Sequence, residues 1–162
     1  MKMIHGNIWK FGDGIDTDII IPARHLVLPM EEMKKYAMEP LDPEFAGRVQ
    51  PGDVIVAGRN FGCGSSREQA PAVLKALGIK AVVAKSFARI FFRNAINLGL
   101  VVVECPELAD HVQTGNVIDI DPVAGKIRLP KQALEFSGSK LPDFLMEILA
   151  AGGLIAHLAQ RG

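Results

Sequence analysis

Three short β-branched runs recur along the middle of the chain: Val54-Ile55-Val56-Ala57, Lys80-Ala81-Val82-Val83-Ala84 and Leu100-Val101-Val102-Val103-Glu104. They are apolar at nearly every position instead of at every second one, so neither face can be left to water. Helical segments stand between them. The first carries Val73, Leu74 and Leu77 on one side, and the second carries Phe87, Ile90, Phe91, Ala95 and Leu98 at helical spacing. Strand, helix, strand, helix, strand with buried strands implies an α/β chain, its parallel sheet covered by helices. In such sheets the ligand-handling loops lie at the carboxyl ends of the strands.

The first of these strands runs directly into Gly58-Arg59-Asn60-Phe61-Gly62-Cys63-Gly64-Ser65-Ser66-Arg67-Glu68. Three glycines open backbone angles closed to other residues and let a ligand come close to the main chain. Ser65 with Glu68, or Ser66 with Gln69, fits the capping-box pattern and predicts a helix start here. A helix start offers free N–H groups and partial positive charge, which suit a carboxylate or phosphate. Arg67 adds a planar, permanently charged fork. The same pattern also serves as an ordinary turn and cap, and Pro71 brings no N–H to the helix. The stretch is neither a Walker loop nor a dinucleotide fingerprint. No histidine follows in the motif, so a Ser-His-Asp hydrolase has no local support.

Composition narrows the setting. At 162 residues the expectation is one domain spanning 1–162. Eighteen basic residues balance eighteen acidic ones with no long run of either sign, which argues against nucleic acid or an anionic membrane as partner. No stretch approaches the ~20 apolar residues of a membrane span. His5, Asn7, Lys10 and Asp13 interrupt any signal-peptide core at the start. Cys63 and Cys105 form neither a disulfide framework nor a metal-spaced set, so no metal site is expected on this chain and a reduced cytoplasm is the expected compartment.

The flanks read more simply. Ile4 to Phe11 alternates as a half-buried strand does, with Trp9 as a packing residue. Asp16-Thr17-Asp18 has the chemistry of a cap or turn. Residues 29–51 hold four prolines and read as a mobile or partner-facing flap, with a helical turn over Glu31 to Tyr36. Arg89, Arg93 and Asn97 share a helix side and are expected on a solvated face. Asn116 to Asp121 and Lys126 to Leu129 bracket a turn and predict a β-hairpin. Pro142 to Ala151 predicts a closing helix stopped by Gly152-Gly153.

Three motifs in register carry a family resemblance. They are Asp16-Thr17-Asp18-Ile19-Ile20-Ile21-Pro22, Asn60-Phe61-Gly62-Cys63-Gly64-Ser65-Ser66-Arg67-Glu68, and Ser86-Phe87-Ala88-Arg89-Ile90-Phe91-Phe92-Arg93-Asn94. Together they closely resemble the aconitase superfamily's swivelling domain, in particular the free-standing small subunits of isopropylmalate isomerases (3-isopropylmalate dehydratases) and homoaconitases. The resemblance implies a three-layer β/β/α swivelling-domain fold: a mainly parallel central sheet, helices on its faces and a C-terminal β-hairpin. It implies a hydro-lyase of leucine biosynthesis that interconverts 2- and 3-isopropylmalate through isopropylmaleate. Ser65 becomes the general base, Arg67, Ser66 and Gly64 the substrate cradle, and Thr17 and Asp18 rim residues.

The resemblance further implies a large partner subunit holding a [4Fe–4S] cluster, with none on this chain and no activity without that partner. An iron–sulfur cluster normally takes three or four cysteines, and this chain has two. The variable group of the substrate is implied to meet Val27, in the segment His25-Leu26-Val27-Leu28, where homoaconitase-type chains carry Arg. His25 departs from the family's usual Tyr. A valine-sized apolar group gains about 1.5–3 kcal/mol on burial, whereas an unpartnered buried carboxylate costs several. That favours a branched apolar substituent. Two other readings are a homoaconitase-type or related diacid hydro-lyase subunit, and a non-catalytic carboxylate-binding module.

Overall fold

A computed structural model describes residues 1–161. The chain runs β1 (Ile4–Lys10), α1 (Thr17–Ile20), α2 (Met30–Met33), α3 (Phe45–Arg48), β2 (Val54–Ala57), α4 (Gln69–Ala76), β3 (Ala81–Ala84), α5 (Arg89–Leu98) and β4 (Val101–Glu104). It continues with β5 (Val117–Asp121), β6 (Lys126–Leu129), β7 (Leu134–Ser137), α6 (Asp143–Ala151) and α7 (Leu154–Arg161). Seven strands form one sheet in the order β4-β3-β2-β1-β5-β6-β7.

The sheet changes character at β1. On one side β1, β2, β3 and β4 pair in parallel, with Val54 opposite Ala81 and Ala81 opposite Val101. Every residue of β2 and β3 is buried, as their unbroken apolar sequence requires. On the other side β1, β5, β6 and β7 pair antiparallel. There β6 alternates exposed and buried residues, the pattern of a sheet wetted on one face. The sheet is thus parallel through one half and not throughout. The β5 and β6 segments are the first two strands of a three-stranded meander that continues into β7.

Helices cover the parallel half, with α5 packed against β4 and in contact with α4, α6 and α7. Gly152 ends α6 in the left-handed region (φ 96°), its N–H reaching the carbonyls of Ile148 and Leu149. The chain does not stop there, because α7 follows. Among the described residues no single helix is long and apolar enough to cross a membrane.

The reading of residues 29–51 as a flap is corrected by the packing. Met33, Ala37, Met38, Phe45 and Val49 are buried. The Met38 N–H donates to the Ile20 carbonyl at 2.9 Å, and Phe45 meets Trp9 and Phe11 edge-on at 5.1 and 5.6 Å. Short turns deliver these side chains singly, so no helical or strand period marks them in the sequence. Trp9 also donates its indole N–H to the buried Asp53 carboxylate at 2.9 Å, which ties β1 to the start of β2.

Candidate active site

Two loops at the carboxyl ends of β2 and β3 are knitted into one floor. The Phe61 N–H donates to the Ser86 carbonyl and the Ala88 N–H to the Phe61 carbonyl, each at 3.0 Å. The Asn60 N–H donates to the Ser86 hydroxyl at 2.9 Å. Phe61, Phe87 and Phe91 cluster at this seam: Phe61 meets Phe91 edge-on at 5.1 Å and Phe87 edge-on at 6.1 Å, while the Phe87 and Phe91 rings lie parallel at 6.2 Å. Gly62 sits in the left-handed region (φ 82°), and a Cβ there would overlap the Phe91 ring. Only glycine lets the loop lie this close to α5.

A third segment, residues 12–18, locks the glycine loop from the other side. The Gly62 N–H donates to the Ile15 carbonyl at 2.7 Å, and the Thr17 N–H to the Cys63 carbonyl at 2.8 Å. The buried Thr17 hydroxyl donates to the Ser65 carbonyl at 2.9 Å. Asp16 caps α1 by accepting from the Ile19 N–H at 2.8 Å. The Asp-Thr-Asp segment therefore does cap a turn, and through Thr17 it also fixes where Ser65 stands.

These contacts surround an open cleft of about 470 Å³ lined by Thr17, Gly62, Gly64, Ser65, Ser66, Arg67, Ala88, Arg89, Ile90, Phe91, Arg93 and Asn94. The lining holds three arginines and no carboxylate, so its field favours anions. Ser65 and Ser66 are exposed, and neither hydroxyl has a hydrogen-bond partner among the described residues. Among the described residues the N–H groups from Gly64 to Glu68 also have no backbone acceptor. Ser65, Ser66, Gly64 and Arg67, all read from the sequence as site residues, come together here.

The source of the helix-end N–H groups differs from expectation. Neither serine caps α4, which begins at Gln69 with Glu68 as its cap residue and no capping side chain. The two serines are drawn away by the loop's bonds to 12–18 and left facing the cleft. Pro71 lies within the first turn of α4, where its missing N–H costs nothing. It is α5 that points its start into the cleft, through Ala88, Arg89, Ile90 and Phe91. The first N–H groups of that helix have no intrahelical acceptor.

Arg67 is only 15 % exposed. One of its nitrogens donates to the Ile21 carbonyl at 3.0 Å and lies 3.4 Å from the Asp18 carboxylate. Asp18 also accepts from the Ala23 N–H at 3.1 Å. Asp18 is therefore outside the cleft lining and stands behind Arg67, holding it. Val27 is not brought to the cleft either: it projects into solvent, 89 % exposed. His25 stacks on Tyr36 at 3.8 Å and faces Glu39, which Arg24 also engages.

Arg89 and Arg93 are exposed, as expected of a solvated helix side, and that side also lines the cleft. The sequence carries the signal in their four-residue spacing, but that spacing alone does not say which wall the helix turns to the loop. Asn97, by contrast, faces the neighbouring groove.

Among the described residues no three His, Cys, Asp or Glu side chains gather to hold a metal ion. Cys63 is half-buried in the glycine loop. Cys105 is buried, and burial pushes its thiol above the ordinary range. The two do not fit an iron–sulfur cluster, which needs three or four thiolates.

Comparison with known proteins gives concordant results. A family model described as the aconitase C-terminal domain matches residues 29–108. The chain is 56% identical over 151 residues to the 3-isopropylmalate dehydratase small subunit of Lachnospira eligens, covering 93% of this chain and 90% of that protein. It is 49% identical over 161 residues to the isopropylmalate/citramalate isomerase small subunit of Methanocaldococcus jannaschii, covering 99% and 96%. The crystal structure of 3-isopropylmalate dehydratase from the same archaeon superposes with a TM-score of 0.94 at 45% identity, over 99% of this chain and 95% of that one.

Proposed function

From the premise that this chain belongs to the family of 3-isopropylmalate dehydratase small subunits, within the aconitase superfamily, we propose that it binds 2- and 3-isopropylmalate and exchanges their proton during dehydration and rehydration. The observation that carries this reading is the unpartnered Ser65 hydroxyl in a cleft lined by three arginines and no carboxylate.

The chemistry follows from those groups. The proton that leaves lies alpha to a carboxylate, and its C–H electron pair becomes the new double bond as hydroxide departs from the neighbouring carbon. Ser65, as alkoxide, takes that proton on Oγ. An alkoxide survives only where donors and positive charge surround it, and such oxyanion support is worth about 3–4 kcal/mol per donor removed. Free N–H groups of residues 64–68 and the start of α5 support that role. Arg67, already oriented by Ile21 and Asp18, offers its remaining N–H groups to a substrate carboxylate, with Ser66 and Gly64 beside it. In the reverse direction Ser65 returns the proton to either carbon, and this choice separates the two isomers.

The iron–sulfur cluster and its Lewis-acid chemistry we assign to a large partner subunit, in the cytoplasm. The site is incomplete without that subunit. Val27, apolar, 89 % exposed and outside the cleft lining of this chain alone, we assign to the substrate's branched group in the assembled two-subunit site, with Asp18 holding Arg67. A valine there suits isopropyl or methyl substituents, so a citramalate-type substrate fits the same reading. The relatives found do not favour a homoaconitase role or a non-catalytic module.

The test is to mix the purified chain with its large iron–sulfur subunit and follow hydration of isopropylmaleate. Turnover is expected from the mixture and from neither subunit alone. A mixture that assembles with an intact cluster and hydrates no maleate of this class would refute the reading.

A further inference from the structure

Four residues apart on α5, Arg89 and Arg93 share one side of the helix, and both line the cleft together with the Ser65–Arg67 loop. Neither belongs to any of the nine ion pairs among the described residues, and neither hydroxyl, amide nor carboxylate holds its guanidinium. Like charges at this spacing repel on an isolated helix. They also crowd positive charge at a helix start, the end where cations are least favoured. Such an arrangement costs stability and returns none within this chain. The one acid nearby, Glu104, lines the adjacent groove that the same arginines border, yet it pairs with neither.

Arg67 differs in kind. Its guanidinium is largely covered and partly committed to Asp18 and Ile21. One such fork, with the loop N–H groups, matches one carboxylate. A 2-hydroxy diacid carries two, and the second needs its own cation on the far side of the reacting carbons. Two further guanidiniums line the same cleft, carried by α5 and not by the glycine loop.

We propose that Arg89 and Arg93 bind the second carboxylate of the substrate and make this cleft selective for dianions over monoanions. This inference rests on the diacid reading of the site given above. Arg93 stands one turn inside α5 and holds the carboxylate; Arg89, at the first helical position, closes the cradle with its guanidinium.

The test uses the assembled two-subunit enzyme with Arg93→Gln, Arg89→Gln and Arg93→Lys. The probes are two competitive inhibitors of equal length, a saturated dicarboxylate and its monomethyl ester. For Arg93→Gln the dicarboxylate inhibition constant is expected to rise about 10- to 100-fold, the range for losing a hydrogen-bonded charge. The ester constant is expected to stay within about 2-fold on the same scale. KM should rise more than kcat falls, and Arg93→Lys should recover part of the loss. Equal changes for both inhibitors, or none, would overturn the proposal. So would weaker capture of the large subunit with an unchanged inhibitor ratio, which would make the arginines docking residues. Failure here with a wild type that still hydrates isopropylmaleate leaves the functional reading intact; a wild type inert toward every diacid removes that reading itself.

Discussion

The two halves of the sheet solve different problems with the same strand chemistry. In the parallel half, β2, β3 and β4 are buried almost entirely, and consecutive strands deliver loops to the same edge. In the antiparallel half, β5, β6 and β7 reverse at each turn, so consecutive loops fall at opposite ends. Only the first layout stacks the ends of neighbouring strands, and here it brings residues 58–67 against 85–88. The second half closes the flank of β1 and carries none of the cleft's lining. Function is concentrated where topology gathers loops, and changes in the two halves should separate activity from stability accordingly.

The sharpest break in that comparison is Ser65→Ala in the assembled enzyme. General-base loss predicts a fall in kcat of about 10²- to 10⁴-fold, while the exposed hydroxyl, unpartnered in this chain, predicts an unchanged melting temperature. Comparable turnover from the alanine enzyme would remove the base from the parallel half. Next comes Gly62→Ala, where a methyl group must enter the Phe91 ring at a positive φ. Overpacking costs about 1–3 kcal/mol, and the left-handed backbone adds about 1–2. Urea denaturation should show the loss, and activity should fall with it because the loop can no longer lie against α5. Thr17→Val is milder: it strands the Ser65 carbonyl, a cost of about 1–3 kcal/mol, and it should lower kcat while leaving KM nearly alone.

Legibility in the sequence follows the same divide. Strands β2 to β4 and helices α4 and α5 could be read because unbroken β-branched runs and helical spacing are local signals. Ser65 and Arg67 were legible as an anion-handling pair next to glycines. What could not be read are relations between segments. That Thr17 grips the Ser65 carbonyl, that α5 and not α4 aims its start at the cleft, and that Arg89 and Arg93 face it all depend on how three loops meet. Residues 29–51 hid their core side chains for a related reason: Met38 lies in a turn and Phe45 in a one-turn helix, each too short to show a period. Asp18 shows a subtler case, since its charge was visible and its role as support for Arg67 was not.

The smallest effect should come from surface ion pairs, and it sharpens the comparison by its own asymmetry. Arg128 and Glu135 join β6 to β7 across the antiparallel half, both well exposed, at 3.4 Å. Such pairs contribute about 0–1 kcal/mol, so Glu135→Gln should barely move the urea midpoint. Lys85 follows β3 and donates to the Asp110 carboxylate at 3.0 Å. That hydrogen bond, with the Lys85 charge, holds the Asp110 carboxyl below its ordinary range. A depressed folded-state value favours the folded chain at pH above the ordinary carboxyl range and ceases to do so as pH falls through the lowered value. Asp110→Asn should therefore flatten the acid limb of the stability profile slightly and leave the neutral region nearly unchanged. A matching change in acid slope from Glu135→Gln would erase the distinction, because it would mean that charge at the loop-bearing edge is held no more firmly than charge on the wet face.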